Sequence, residues 1–151
     1  MQPIKIKKLH PDAIIPQYAT AGAAAFDLHA VHDGPPDDLV EVTVGMPITF
    51  PTGLAFAIPP GFVMLIFSRS GHGFGHDTRL ANCVGVVDSD YRGEVMVRLA
   101  KDIGLPRRMR VRNGDRIAQA MIVPIPTVEF EVVDELSPTV RGTGGFGSTG
   151  V

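Results

Sequence analysis

The chain has 151 residues and a formal net charge of −2 at pH 7, which suits one domain with a substantial core. Apolar residues make up 44% and charged residues 20%, so the composition excludes a disordered chain, and the charge gives no general attraction to nucleic acid or anionic membrane. The single cysteine, Cys83, excludes an intramolecular disulfide framework and a zinc-cysteine cluster. There is no apolar run of membrane-spanning length and no signal-peptide core in residues 1–10. We therefore expect a cytoplasmic protein with neither nucleic acid nor membrane as partner.

Short strands separated by turns are predicted along the first half of the chain. Residues 4–9 begin as a strand pattern, and residues 39–44 alternate so that one face is apolar. Residues 54–58 lie between two turns that contain proline and glycine. Residues 62–67 form a continuous apolar run, which predicts a buried strand.

Residues 82–99 are predicted to form a β-hairpin with polar residues at its tip. The first arm, residues 84–87, is short and β-branched, and the second arm alternates from Glu94 to Leu99. Gly85 has no side chain, so a flat ligand has room to lie against the backbone there. For the Asp-Ser-Asp sequence at residues 88–90 alone, a polar hairpin tip without any function is the favoured interpretation.

The second half of the chain continues the pattern of short strands. Asn113-Gly114 is a hairpin signal between residues 108–112 and 116–123, and residues 127–133 alternate again. No window of 12 or more residues has a helical period. We therefore predict an all-β fold, a distorted jelly-roll barrel or sandwich, as a single domain over residues 1–151.

The C-terminal segment differs in composition, with five glycines in residues 141–150. From composition alone, a flexible glycine-rich tail is the simplest interpretation. The segment also carries an arginine, three hydroxyl groups and unhindered amides, which suit a polyphosphate. It lacks the Gly-Lys-Ser/Thr ending of a P-loop.

Five separated segments resemble, in order, the five motifs of the trimeric dUTP diphosphatase (dUTPase) family. They are residues 19–28, 68–71, 82–93, 114–119 and 141–150. The third motif contains Val-Asp-Ser-Asp-Tyr-Arg-Gly, and the fourth reads Gly-Asp-Arg-Ile-Ala-Gln. Each motif is weak alone, but all five in this order within 151 residues are highly specific.

The resemblance implies a jelly-roll subunit in a homotrimer, with active sites built from motifs of different subunits. The implied reaction is hydrolysis of dUTP to dUMP and pyrophosphate with Mg²⁺, which keeps uracil out of DNA and supplies dUMP for thymidylate synthesis. Asp88 matches the general base that activates the water attacking the α-phosphorus. Phosphoryl transfer needs positioning and charge stabilisation more than covalent chemistry, which agrees with this role.

The resemblance also assigns substrate-binding residues. Uracil is read by Asn82 and the main chain of Val86, Val87 and Asp88; Tyr91 packs under the deoxyribose, and Met96 contacts the nucleotide or belongs to the core. The phosphates are held by Arg69, Ser70, Gly71 and Gln119. The lid segment, residues 137–151, closes over the nucleotide through Arg141, Phe146, Gly147, Ser148 and Thr149.

The implied Mg²⁺ is held mainly by the triphosphate, because this ion keeps its waters and binds substrate phosphates. Asp27 and Gln119 are expected to act on it through water, although Asp27 fits a structural hydrogen bond equally well. His72 and His76 are spaced four residues apart, but we expect them in a glycine-rich loop and therefore expect no zinc site.

Several residues depart from the family pattern. Ser68 stands where proline is usual before the arginine, and His72 stands where leucine often follows the glycine. Ala25 and Val87 replace glycine and isoleucine. Two alternatives to dUTP hydrolysis stay open: a dCTP deaminase-related enzyme, and a non-catalytic nucleotide-sensing regulatory trimer.

Overall fold

Short strands dominate the molecule. The computed structural model describes residues 3–35, 38–104 and 106–148. The strands in this part of the chain are β1 (Lys5–Lys8), β2 (Phe26–His29), β3 (Val40–Val42), β4 (Ile48–Pro51), β5 (Leu54–Ala57), β6 (Phe62–Phe67), β7 (Thr78–Leu80), β8 (Gly85–Val87), β9 (Met96–Lys101), β10 (Met109–Val111) and β11 (Arg116–Pro124). A short helix, α1 (Ser70–His76), lies between β6 and β7. The prediction of an all-β fold is confirmed.

Antiparallel pairing joins the strands into four sheets. The largest has the order β2-β11-β6-β8 and the next β4-β9-β7, while β1 pairs with β5 and β3 with β10. The continuous apolar run of β6 is explained by its pairing with β11 on one edge and β8 on the other. All four sheets contribute side chains to one core, among them Phe50, Leu54, Met64 and Val111. These sheets enclose the core as expected for a sandwich or barrel.

The prediction of a hairpin over residues 82–99 is wrong in its pairing. β8 pairs with β6, whereas β9 pairs with β4 and β7, so the two arms belong to different sheets. β8 is the last strand of its sheet. Its second edge is therefore unpaired within the described residues and borders a cleft that separates it from β9.

The Asn113-Gly114 signal is right about the turn and wrong about the hairpin. Gly114 has a φ of 82°, and the amide of Asp115 donates to the carbonyl of Arg112 over 3.1 Å. The strands on either side separate, since β10 pairs with β3 and β11 pairs with β2 and β6.

Residues 127–133, predicted to be a strand, form none. Val128 is 63%, Phe130 91% and Val132 98% exposed, and no strand pairs with this segment in the described part of the chain. Alternation of apolar and polar residues indicates which face of a strand could be buried. A strand also needs a neighbouring strand edge with which to form hydrogen bonds.

Helix α1 occupies the segment that was expected to be a glycine-rich loop. With seven residues, it is too short to produce a recognisable helical period. β4 and β7 were also missed by the sequence patterns. No helix in the described ranges is long and apolar enough to cross a membrane.

Candidate functional site

The cleft between β8 and β9 collects the residues expected to read a base and a sugar. It has a volume of about 300 Å³, and its lining includes Asn82, Val86, Val87, Asp88, Tyr91 and Met96. Val86 is 63% and Met96 57% exposed, so both present apolar surface to a ligand. We call this space the β8–β9 cleft.

The floor of the cleft is shaped by Gly85 and Ile66, which lie opposite each other on β8 and β6. A Cβ added to Gly85 would lie 3.0 Å from the Cβ of Ile66. Glycine therefore leaves space beside Ile66 that any larger residue would fill. This agrees with the expectation that a flat group fits here.

Asp88 follows the last residue of β8 and has an exposed side chain at the mouth of the cleft. Its carbonyl accepts from the amide of Tyr91 over 3.2 Å. Arg92 reinforces the turn, since its Nη1 donates to the carbonyls of Ser89 and Tyr91 over 2.7 Å each. The carboxylate is thus carried on a well-braced turn, open to water.

Tyr91 is fixed over the same turn. Its hydroxyl donates to the carbonyl of Glu94 over 3.0 Å, and a Cβ on Gly93 would lie 2.4 Å from the tyrosine hydroxyl oxygen. Gly93 is therefore required for the ring to occupy this position. Glu94 also lines the cleft, a contribution that sequence reasoning missed, and its Oε1 accepts from the amide of Gly53 over 2.7 Å.

A second cavity, of about 500 Å³, lies beside the start of α1. Its lining includes Asp27, Arg69, Ser70, Gly71, Arg116 and Gln119. We call it the α1 cavity. All the residues expected to hold phosphates are brought together here, apart from those of the C-terminal segment. Among residues 3–35, 38–104 and 106–148, none lines both this cavity and the β8–β9 cleft.

Asp27 joins two arginines in the α1 cavity. Its Oδ1 accepts from Arg69 Nε over 2.8 Å, and its Oδ2 lies 3.4 Å from Arg116 Nη1. One carboxylate against two guanidinium groups leaves the cavity positively charged, which suits an anion. Arg116 lies in the fourth motif, but sequence analysis assigned it no role. Its contact with Asp27 identifies it as a residue of the α1 cavity.

The remaining polar groups of this cavity support its shape. Gln119 Nε2 donates to the carbonyl of Ser68 over 2.9 Å, and Ser68 Oγ accepts from the amide of Leu80 over 2.9 Å. The departure at Ser68 is thus accommodated by a hydrogen bond to β7. The described residues contain no group of three or more His, Cys, Asp or Glu side chains able to hold a metal ion.

Two histidines near Arg69 are held neutral. Burial, followed by the positive charge of Arg69, lowers the pKa of His72 to about 4. Burial and the charges of Arg116 and Arg69 also lower the pKa of His29, against the opposing effect of Asp27. The positive charge of the cavity at neutral pH therefore belongs to its arginines.

The C-terminal segment lies apart from both cavities. Arg141 Nε donates to the carbonyl of Gly144 over 2.8 Å, and Phe146 is fully exposed with a φ of 44°. Gly147 and Ser148 follow within a turn, and Thr149 lies outside the described residues. Of the four that the structure describes, Arg141, Phe146, Gly147 and Ser148, none lines the cleft or the α1 cavity.

Comparison with known proteins agrees with this arrangement. The dUTPase family model matches residues 11–150. A deoxyuridine 5'-triphosphate nucleotidohydrolase from Nautilia profundicola is 44% identical over 147 residues, covering 97% of this chain and 98% of the relative. One from Desulfitobacterium hafniense (strain DCB-2) is 46% identical over 140 residues, covering 91% and 87%.

Solved structures give the same result for the fold. The dUTPase of Staphylococcus bacteriophage 80alpha, solved with dUPNHPP, superposes with a TM-score of 0.81 at 26% identity over the full length of both chains. Sequence, fold and the grouping of the motif residues therefore agree, and the chain belongs to the dUTPase family of enzymes.

Proposed function

We propose that the protein hydrolyses dUTP to dUMP and pyrophosphate, with Asp88 as the general base. The observation that carries the proposal is the position of Asp88, whose exposed carboxylate follows the unpaired strand β8 at the mouth of the cleft. There it takes a proton from a water that attacks the α-phosphorus. The bond from the α-phosphorus to the bridging oxygen then breaks, and pyrophosphate leaves.

Uracil would be recognised by the main chain of β8. Because the second edge of β8 has no strand partner in the described residues, the main-chain groups of residues 86–88 that face this edge are available to a planar ring, assisted by the side chain of Asn82. Fixed main-chain groups would oppose the reversed donor pattern of cytosine. A narrow slot leaves no room for the methyl group of thymine.

The phosphates would be held in the α1 cavity. Arg69 and Arg116 supply positive charge, and Ser70 and Gly71 line the same wall. Since the cleft and the α1 cavity share no lining residue in the described part of the chain, we propose that the two are combined from different copies in a homotrimer. The segment 137–151 of a further copy closes over the nucleotide, with Arg141 near phosphate and Phe146 against the base.

Mg²⁺ would be carried by the triphosphate. The donor set fits this arrangement, because Asp27, the one carboxylate among the described residues that line the α1 cavity, already lies between two arginines. Asp27 and Gln119 would therefore contact the ion through its waters. When bound, the ion neutralises phosphate charge. In the cytoplasm, the reaction would keep uracil out of DNA and supply dUMP for thymidylate synthesis.

Hydrolysis in ¹⁸O-labelled water shows which phosphorus atom the water attacks. Attack at the α-phosphorus places the label in dUMP and leaves pyrophosphate unlabelled. Label in pyrophosphate would mean attack at the β-phosphorus and would remove Asp88 from the proposed geometry. Asp88→Asn serves as the control for background hydrolysis.

A further inference from the structure

The ring of Tyr91 lies against the backbone of residues 93 and 94, which we call the ring support. The tyrosine hydroxyl donates to the carbonyl of Glu94 over 3.0 Å. The same hydroxyl oxygen lies where a Cβ on Gly93 would clash with it. The position of the ring beside the β8–β9 cleft therefore depends on where the ring support lies.

The chain that follows the ring support is bonded to the end of the β4–β5 turn. The amide of Val95 donates to the carbonyl of Leu54 over 2.9 Å. The buried hydroxyl of Thr52 donates to the carbonyl of Val95 over 2.6 Å. These two bonds fix residue 95, which is the first residue after the ring support.

Glu94 makes a third bond to the same turn through its half-buried side chain. Its Oε1 accepts from the amide of Gly53 over 2.7 Å. A carboxylate that accepts from a main-chain amide forms a hydrogen bond roughly twice as strong as one between neutral groups. This bond joins the ring support itself to the turn, one residue closer to Tyr91 than the bonds of Val95.

Gly53 is a rigid partner for this carboxylate. Its φ is 67°, and its carbonyl accepts from the amide of Leu9 over 2.7 Å. A Cβ on Gly53 would lie 2.8 Å from the Cβ of Ala13 and 2.9 Å from the Cβ of His10. Because its neighbours pack so closely, the amide of this buried glycine cannot move far to follow a displaced side chain.

We propose that Glu94 is a positioning residue for Tyr91. Its carboxylate, bonded to the Gly53 amide, holds the ring support, and the ring support holds the tyrosine ring. The inference rests on the proposed function, in which this ring packs against deoxyribose and excludes a ribose hydroxyl. Glu94 then contributes to sugar selectivity without touching the reacting atoms.

The variants are matched in size, because Glu94 also lines the cleft. Glu94→Gln keeps a side-chain oxygen that can accept from the Gly53 amide, whereas Glu94→Leu has a similar volume and no acceptor. Glu94→Asp keeps the carboxylate but is one methylene group shorter, so it does not reach Gly53. Glu41→Leu is the control, because it removes a partly buried carboxylate that does not line the cleft.

Nucleotide selectivity is the kinetic readout. We expect Glu94→Leu and Glu94→Asp to lower the ratio of kcat/KM for dUTP to that for UTP about tenfold, because the ring support loses its bond to Gly53. Glu94→Gln should keep the ratio within about threefold of the wild type, and Glu41→Leu should leave it unchanged. General destabilisation would instead lower kcat/KM for both nucleotides equally.

The position of the ring can also be followed without any nucleotide. The chain has two tyrosines, Tyr18 and Tyr91, so protein labelled with 3-fluorotyrosine gives two ¹⁹F signals, which Tyr18→Phe assigns. We expect the Tyr91 signal to shift and broaden in Glu94→Leu and Glu94→Asp, and to stay close to that of the wild type in Glu94→Gln. The Tyr18 ring packs edge-on against Phe26, so an unchanged Tyr18 signal shows that the fold is retained.

The two readouts separate this inference from the proposed function. Failure of the wild type to hydrolyse dUTP would contradict the proposed function, and the Tyr91 signal would still decide whether Glu94 holds the ring. An unchanged Tyr91 signal in both Glu94→Leu and Glu94→Asp would overturn the inference. It would also be overturned by an equal loss of dUTP and UTP hydrolysis, or by a failure of Glu94→Gln to keep the ratio.

Discussion

Asp88, at the end of β8, is the proposed general base. We expect Asp88→Asn to bind dUTP with nearly unchanged affinity and to lose about 10²–10⁴-fold in kcat, the usual contribution of a positioned base. Calorimetric titration with a non-hydrolysable analogue, together with steady-state turnover, measures the two quantities separately. A turnover rate near that of the wild type would remove Asp88 from the role of base.

Tyr91 is expected to distinguish deoxyribose from ribose, and Gly93 is expected to hold it in place. A methyl group at Gly93 would lie 2.4 Å from the hydroxyl oxygen of Tyr91, so Gly93→Ala must displace the ring. We predict that Tyr91→Ala and Gly93→Ala both narrow the ratio of kcat/KM for dUTP to that for UTP. Tyr91→Phe keeps the ring and is the control. An unchanged ratio in the alanine variants would count against the assignment.

Two partly buried histidines, His72 in α1 and His29 in β2, make the stability of the fold depend on pH. The folded-state pKa of His72 is about 4, against 6.5 for an ordinary histidine, and burial also lowers the pKa of His29. Between these values the unfolded chain binds more protons than the folded chain, so stability falls as the pH drops from 6.5 towards 4. Urea unfolding at pH 7 and pH 5 measures this loss.

His72→Gln removes one titrating group, so the loss of stability between pH 7 and pH 5 should be smaller in this variant than in the wild type. The same loss in both proteins would show that His72 does not contribute to the pH dependence of stability. His10→Gln replaces a partly exposed histidine outside α1 and is the control for the loss of an imidazole elsewhere in the fold.

The strands that could be predicted were those whose signal is local. β6 has the bounds of its apolar run, because burial on both faces leaves a continuous pattern in the sequence. Residues 127–133 have an equally clear alternation but form no strand, since pairing depends on an edge supplied from elsewhere. Because of its glycines, α1 has no helical signal in the sequence, and contacts with the rest of the fold stabilise it.

Some residues of the candidate site could likewise be predicted from a local sequence pattern, and others could not. Apart from Ile66, the described residues that line the β8–β9 cleft lie between positions 82 and 96, so one stretch of sequence could identify them together. The contact of Arg116 with Asp27 joins residues 89 positions apart, and no local pattern signals it. The separation of β8 from β9 likewise follows from the pairing of each strand with distant partners.

At the scale of the whole molecule, the exposed C-terminal segment fits the proposed assembly. Val128, Phe130, Val132 and Leu136 are all highly exposed, and a row of large apolar side chains in water usually marks an interaction surface. In the proposed homotrimer this segment lies against another copy. It then carries residues 139–151 towards a neighbouring cleft.

Truncation after Pro138 tests whether residues 139–151 act as a lid while the preceding segment supports the proposed trimer. We predict that the shortened chain remains a trimer in analytical ultracentrifugation, because residues 127–133 are retained, and that kcat/KM for dUTP falls by at least about tenfold without the closing segment. Full activity would mean that the segment is not a lid. Loss of the trimer would mean that residues 139–151 contribute to assembly.

Product analysis is the most direct test of whether the protein hydrolyses dUTP. The purified protein would be incubated with Mg²⁺ and, separately, dUTP, dCTP, dTTP and UTP, and the nucleotide and phosphate products would be identified. We expect conversion of dUTP alone, to dUMP and pyrophosphate in equal amounts. Formation of dUTP from dCTP, or tight binding of dUTP without any product, would contradict it.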